Sequence, residues 1–293
     1  MIKVNSEIVK VEHFPDGTQR INLDVKNGNP TIPFEVSITW KYENDEECMT
    51  LWYVVNHLRN HVNATAYYLI MDYIPNARLD RTKKNEEVFT LKHFASFINA
   101  LNFTCVYVLD PHSDVSTALI NNVVVKDVNH YISRALWKVG MKESVNDGEI
   151  FVYFPDSGAM KRYKDLKCLE GHNLIYGKKV RDWETGKITG LEVYDCNEIK
   201  LDETVDNSPI NGAVVLMVDD IISYGGTMAY SADRLKKLGA KSIYAYASHV
   251  ENSVLDEENG TLIKSLENGT VNCVLATDSI FNKFNETKYV EKV

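Results

Sequence analysis

The segment "VVLMVDDIISYGGTM", Val214–Met228, decides the fold class of this 293-residue chain. Five apolar residues predict a buried strand, the adjacent acids Asp219 and Asp220 follow it, and a Gly-Gly turn leads into a helix-like pattern. In such a strand–turn–helix unit, backbone N–H groups of the turn and of the helix N-terminus form an anion cradle. The turn is not a Walker loop, because no Gly-Lys-Ser/Thr follows it.

The two acids beside this cradle indicate the kind of anion. Asp219 and Asp220 would repel a phosphate, but each carboxylate can accept a hydrogen bond from one of two vicinal hydroxyls. A ligand with a phosphate at one end and a diol nearby is a ribose 5-phosphate. The competing interpretation is an ordinary strand-to-helix turn with solvated acids.

The remaining sequence alternates between helix-like and strand-like segments. Residues 44–61 predict a helix with an apolar stripe of Met49, Trp52, Val55 and Leu58, and "ATAYYLIMDYI" predicts the strand that follows. Residues 88–103 predict a second helix, followed by the strand "CVYVLD". The second half repeats the scheme with the strands "EIFVYFPD", "HNLIYGKKVRD" (entering a charged loop), "AVVLMVDD" and "AKSIYAYASH".

This alternation predicts an α/β fold of two similar lobes, each a mainly parallel sheet flanked by helices. The polar connector "KVGMKESVNDGEI" places the boundary so that the lobes span 1–142 and 143–293. The prediction leaves open that the last strand or helix packs back on the N-terminal lobe. Three predicted strands end in Asp110, Asp156 and Asp219, which places polar groups where α/β sheets bind ligands.

Composition excludes several classes of protein. The net charge is −9 without a long basic run, so a basic nucleic-acid-binding face is not expected. No apolar run is long enough to span a membrane. The five cysteines are dispersed without a CxxC pair, which favours a reducing, cytoplasmic setting over a disulfide framework or a zinc site.

The opening segment resembles the phosphoribosyl-binding loop of the type I phosphoribosyltransferase fold. Within that fold the chain resembles the ribose-phosphate diphosphokinase family, because five further segments are similar to that family's motifs, in the same order and at comparable spacing. These segments are "FPDGT" (14–18), "YIPNARLDRTKK" (73–84), "VLDPHSD" (108–114), "FPDSGAMKR" (154–162) and "GKKVRD" (177–182).

The resemblance implies transfer of the β,γ-diphosphoryl group of ATP to the anomeric hydroxyl of ribose 5-phosphate. Lys179 and Arg181 are then the catalytic cations of the family's Lys-X-Arg loop, with Lys178 as a neighbouring alternative. His112 and Asp156 are implied to hold Mg²⁺ on the ATP phosphates, although His112 can instead contact a phosphate or a metal-bound water.

The resemblance also implies an ATP site in the N-terminal lobe and a ribose-phosphate site in the C-terminal lobe. Leu79 replaces a family Gln and Thr18 a family Glu, which weakens two expected ATP contacts; a plain β-turn is the competing interpretation of residues 14–18. The implied ATP-binding residues are Phe14, Asp16, Arg78, Asp80, Arg81 and His112. The implied ribose-phosphate residues are Asp219, Asp220, Ser223, Tyr224, Gly225, Gly226 and Thr227.

Ser223 and Tyr224 depart from the family's Asp-Thr and leave the acceptor open. Tyr224 places a ring beside the predicted 5-phosphate seat, which suits either ribose 5-phosphate or a substituted acceptor such as ADP-ribose, used by related bacteriophage enzymes in NAD⁺ resynthesis. For a phage enzyme the setting is the host cytoplasm. A phosphoribosyltransferase and a non-catalytic regulatory homologue are further alternatives. The family also implies a homo-oligomer, either a dimer or a hexamer.

Overall fold

The computed structural model describes residues 1–23, 35–181, 188–201 and 207–293. The chain divides into two compact units, Met1–Asp127 and Val128–Val293. Each is an α/β unit with a mainly parallel sheet, as predicted. Within the described ranges, no helix is both long and apolar enough to cross a bilayer.

The N-terminal unit is built on a sheet whose described strands have the order β2-β1-β5-β6-β7-β8. Strands β5 to β8 are parallel, whereas β1 runs antiparallel to both of its neighbours; β3 and β4 form a separate hairpin. The elements are β1 (Ile2–Val4), β2 (Glu7–Ile8), β3 (Lys10–His13), β4 (Gln19–Asn22), β5 (Glu35–Trp40), α1 (Glu46–His61), β6 (Ala66–Ile70), α2 (Thr90–Ala100), β7 (Cys105–Leu109), α3 (Asp114–Leu119) and β8 (Val123–Lys126).

Helix α1 lies where the sequence predicted a helix, but only half of its predicted apolar stripe is buried. Val55 and Leu58 are buried as predicted, together with Leu51 and Val54, whereas Met49 and Trp52 are exposed. Apolar residues cover more than one face of this helix, so periodicity alone did not determine which face packs on the sheet.

The C-terminal unit has a larger sheet, with the described strand order β11-β10-β9-β12-β13-β14-β15. All neighbouring strands are parallel except β10 and β11, which are antiparallel. The elements are α4 (Asn129–Glu143), β9 (Phe151–Phe154), α5 (Ser157–Tyr163), β10 (Leu174–Arg181), β11 (Ile188–Asp195), β12 (Val214–Ile222), α6 (Gly226–Lys237), β13 (Ser242–Val250), α7 (Leu262–Glu267), β14 (Cys273–Ala276) and β15 (Val290–Lys292).

Two features of the domain prediction differ from the structure. The units divide between Asp127 and Val128 rather than at 142/143, because α4 buries Ile132, Leu136 and Val139 in a core of the C-terminal sheet. The predicted polar connector therefore begins inside a helix. The last strand, β15, pairs with β14 and so belongs to the C-terminal sheet instead of packing back on the N-terminal unit.

Candidate active site

The two acids of the opening segment lie inside β12, near its carboxyl end. Asp219 is half-buried, whereas Asp220 is only 4% exposed. The sequence placed both acids at the end of the strand; the structure extends β12 two residues further, to Ile222.

Asp219 lies in a site that disfavours its charge. Its Oδ1 accepts a hydrogen bond from the backbone N–H of Asp220 at 2.9 Å. Burial, followed by the neighbouring charge of Asp220, raises the pKa of the Asp219 carboxyl well above its usual range. The charge of Asp156 contributes in the same direction. A ligand that donates hydrogen bonds to this carboxylate would offset part of that penalty.

Asp220 faces helix α5, where it has a cationic partner. Arg162 Nη1 lies 3.0 Å from Asp220 Oδ1. The two side chains therefore form an ion pair that is largely shielded from solvent. Arg162 falls in the segment 154–162, yet sequence reasoning assigned it no role.

The glycine turn leads directly into α6. Gly225 has φ +77°, a left-handed conformation, and precedes the first helical residue, Gly226. A Cβ on Gly225 would overlap the Leu262 side chain, with Cδ2 at 2.9 Å and Cγ at 3.1 Å, so close packing and backbone conformation both require glycine here. The first N–H groups of α6 have no acceptor within the helix, which makes this end the predicted anion seat.

Residues 253–262 contact the glycine turn and hold its backbone in place. The carbonyl oxygen of Tyr224 accepts hydrogen bonds from the backbone N–H groups of Thr261 (3.0 Å) and Leu262 (3.1 Å). Ser223 Oγ lies 3.3 Å from Ser253 Oγ. The Tyr224 backbone is therefore held in place while its ring stays 45% exposed. No motif in residues 253–262 pointed to this contact, because it depends on long-range packing.

Asp156 has a structural role besides any role in binding a metal. Strand β9 ends at Phe154, and Asp156 caps α5: its Oδ1 accepts from the N–H groups of Gly158 (2.8 Å) and Ala159 (2.9 Å). Both bonds use the same oxygen, so Oδ2 takes no part in the cap. Mg²⁺ commonly takes one or two carboxylates together with substrate phosphates and waters, which this remaining oxygen suits.

The described residues contain no cluster of three or more His, Cys, Asp and Glu side chains arranged to hold a metal ion. His112 and Asp156 belong to different units. Their assignment as Mg²⁺ contacts therefore stays a prediction.

The segment predicted to enter a charged loop is part of a β-hairpin. Strand β10 continues through Arg181 and pairs with β11. Gly177 lets β10 pass the buried Tyr153 side chain, because a Cβ there would collide with the Tyr153 hydroxyl. The side chain of Arg181 lies outside the described part of the structure, and so does Asp182 of the predicted motif.

The two lysines of β10 have different surroundings. The Lys178 ammonium pairs with Glu198 and lies 4.3 Å from the ring centre of Tyr194. The hydrogen bond to Glu198 raises the pKa of Lys178. Lys179 projects to the opposite face and is half-buried. Since Lys178 is committed to the hairpin, Lys179 is the better candidate for contact with substrate.

The predicted adenine loop is a tight turn between β3 and β4. The Phe14 N–H donates to the Thr18 carbonyl at 2.9 Å, and the Phe14 ring is half exposed. Asp16 Oδ1 accepts from the Thr18 hydroxyl (2.7 Å) and N–H (3.0 Å), which lowers the pKa of Asp16. The turn accounts for one oxygen of Asp16 and leaves the ring of Phe14 accessible.

The other predicted ATP residues follow β6 and β7 in the chain, and these two strands are adjacent and parallel. Arg78 and Arg81 are exposed, and Arg81 Nε lies 3.5 Å from Asp80 Oδ1. His112 is half-buried and precedes α3. The assignment of these four residues to ATP binding stays a prediction.

Comparisons with known proteins bear on this architecture. No family model matches the chain. A curated ribose-phosphate pyrophosphokinase of Sulfolobus acidocaldarius is 28% identical over 257 residues, covering 85% of this chain and 80% of the relative. One of Thermococcus kodakarensis is also 28% identical, covering 82% and 77%, and one of Listeria innocua is 24% identical, covering 97% and 80%.

The crystal structure of phosphoribosylpyrophosphate synthetase from Mycobacterium smegmatis superposes with a TM-score of 0.72. The two sequences are 18% identical, and the superposed region covers 98% of this chain and 85% of the Mycobacterium smegmatis chain. The fold and the site on β12 and α6 therefore define a protein with two phosphoribosyltransferase-like units. The sequence relatives are more specific: the chain is a homologue of the ribose-phosphate pyrophosphokinases.

Proposed function

We propose that the protein transfers the β,γ-diphosphoryl group of ATP to the anomeric hydroxyl of ribose 5-phosphate, which yields phosphoribosyl pyrophosphate and AMP. The observation that carries the proposal is the acid pair of β12 placed next to the glycine turn that opens α6, in a chain homologous to ribose-phosphate pyrophosphokinases over most of its length.

In this reaction the sugar oxygen bonds to the β-phosphorus while the bond to the α–β bridging oxygen breaks and AMP leaves. Little covalent chemistry falls to the protein, so its work is positioning and charge stabilisation. Asp219 and Asp220 would accept hydrogen bonds from the ribose hydroxyls. The N–H groups at the start of α6, with Ser223, Gly225 and Thr227, would bind the 5-phosphate.

The cations would act on the charge that develops on the phosphate oxygens. Lys179, on the face of β10 away from Glu198, would contact these oxygens together with Arg181. ATP would bind along the N-terminal sheet edge that carries Arg78 and His112, with Phe14 against the adenine. Mg²⁺, when bound, neutralises phosphate charge; His112 and Asp156 remain the residues predicted to contact it.

Identification of both products tests this proposal. With ATP, Mg²⁺ and ribose 5-phosphate, mass spectrometry should find phosphoribosyl pyrophosphate and AMP in equal amounts. Formation of ADP, or hydrolysis of ATP independent of the sugar, would contradict diphosphoryl transfer. ADP-ribose as the acceptor stays a prediction, and the same assay with ADP-ribose tests it.

We further propose that the protein acts in the cytoplasm as a homo-oligomer. Its cysteines are all free thiols, which suits a reducing compartment.

On α4, Trp137 and Met141 lie one turn apart and are both more than half exposed, which suits a subunit contact. Sedimentation of the wild type against Trp137→Glu, which should dissociate, tests the assembly.

A further inference from the structure

A single short helix carries two groups that bear on the site of β12. Helix α5 is capped by Asp156 at its start, and Arg162 lies in its last turn. Arg162 reaches the buried Asp220 on the sheet face that α5 covers, with Nη1 3.0 Å from Oδ1. About a quarter of the Arg162 side chain is exposed, whereas the Asp220 side chain is nearly buried.

We propose that Arg162 is a positioning residue for the ribose diol, because it fixes Asp220 in the orientation that receives a sugar hydroxyl. The inference rests on the proposed function, and it assigns the two acids different supports. Asp219 is oriented through the backbone N–H of Asp220, whereas Asp220 is held by a side chain from another helix.

The electrostatics of the acid pair make this support necessary. Two adjacent carboxylates disfavour each other's charge, and a buried carboxylate without a cation is unfavourable. The guanidinium of Arg162 offsets this penalty for Asp220. Loss of this cation makes the charged, buried form of Asp220 less favourable, and a protonated or displaced carboxyl accepts the sugar hydroxyl poorly.

Loss of the cation should therefore act on sugar binding. For Arg162→Met we expect the KM for ribose 5-phosphate to rise by about tenfold to a hundredfold, the range for one hydrogen bond to a charged group. The KM for ATP should change less than about twofold, because ATP is assigned to other residues. Arg162→Lys, which keeps the charge but not the planar fork, should recover part of the loss.

Lys161→Met is the matched control, since it removes one positive charge from the preceding, exposed position of the same helix. It should leave both KM values unchanged. The double variant Arg162→Met/Asp220→Asn tests the route of the effect. If Arg162 acts through Asp220, the double variant should bind sugar no more weakly than whichever single variant has the lower affinity. The double variant should also unfold at a higher temperature than Arg162→Met.

Binding measured by calorimetry with ribose 5-phosphate, and separately with ADP-ribose, makes the test independent of turnover. Both ligands carry the same ribose diol, so weaker binding of either to Arg162→Met supports the positioning role. A wild type that binds ADP-ribose but does not convert ribose 5-phosphate would refute the proposed function alone.

Three results would overturn the role of Arg162. They are unchanged sugar binding in Arg162→Met, equal losses for sugar and ATP, and additive losses in the double variant. A wild type that binds neither sugar ligand would overturn both proposals. If Arg162→Met does not fold, Arg162→Lys and Asp220→Asn are compared with their double variant instead. Additive losses of sugar binding in that double variant would again overturn the role of Arg162.

Discussion

Replacement of Gly225 by alanine should destabilise the C-terminal unit and distort the predicted phosphate seat. Gly225 has φ +77°, which disfavours an L-residue by about 1–2 kcal/mol. The new Cβ would also overlap Leu262, whose side chain is fully buried in a core cluster. Overpacking of this kind costs about 1–3 kcal/mol. The two contributions sum to a loss of about 2–5 kcal/mol in the free energy of unfolding.

Urea unfolding, followed by circular dichroism and tryptophan fluorescence, measures this loss. The chain has two units and can unfold in more than one step, so each transition is fitted separately. Gly226→Ala is the stability control, because the nearest atom outside the helix, Thr261 Oγ1, would lie 3.8 Å from the added Cβ and the φ of Gly226 is not left-handed. It should change stability by less than about 1 kcal/mol.

The double variant Gly225→Ala/Leu262→Ala separates steric overlap from backbone strain. Leu262→Ala alone should cost about 2–5 kcal/mol, as for other buried leucines. Removal of the Leu262 side chain also removes the overlap, so the double variant should fall short of the summed losses by about 1–3 kcal/mol. Additive losses, or a Gly225→Ala variant as stable as Gly226→Ala, would refute the packing argument.

Three other predictions concern the chemistry of the site. Lys179→Ala should lower kcat by orders of magnitude with ATP binding largely kept, whereas Lys178→Ala should mainly lower the melting temperature; equal kcat losses would contradict the distinction. The pKa of the Asp219 carboxyl is raised in the folded state, so ionisation of Asp219 lowers the stability of the protein, and this cost disappears as the pH falls. Asp219→Asn should therefore raise the melting temperature of the ligand-free protein near neutral pH and lose that advantage in acid. The same variant should bind sugar weakly. A melting temperature that Asp219→Asn leaves unchanged at all pH values would contradict this assignment. Tyr224→Thr should raise kcat/KM for ribose 5-phosphate relative to ADP-ribose if the exposed ring contacts a substituent on the 5-phosphate, and an unchanged ratio would remove that role from Tyr224.

Sequence patterns predicted the parts of the site that depend on neighbouring residues. The run of apolar residues before Asp219 and the glycines after it identified strand, turn and helix, because each follows from local periodicity and backbone conformation. The family motifs also named Lys179 and His112 as site residues, and their roles stay predictions. The parallel sheets predicted from the alternating helices and strands are those observed.

Contacts between distant segments explain what sequence reasoning missed. Apolar residues on more than one face of α1 left the buried stripe ambiguous, and only packing selected Leu51 and Val54 over Met49 and Trp52. The observed domain boundary lies before the predicted one because the apolar face of α4 packs on the C-terminal sheet. The adjacent lysines of "GKKVRD" could be distinguished only after Glu198, twenty residues after Lys178, had paired with it.

The sequence by itself determined the α/β class, the family resemblance and the residue types of the site, because these are written in local order and spacing. Tertiary structure alone decided how the two acids of "VVLMVDDIISYGGTM" differ. Asp220 is nearly buried and pairs with Arg162 of α5, whereas Asp219 stays partly exposed in a site that raises its pKa. Charge interactions of this kind depend on distance through space, which residue spacing along the chain does not specify.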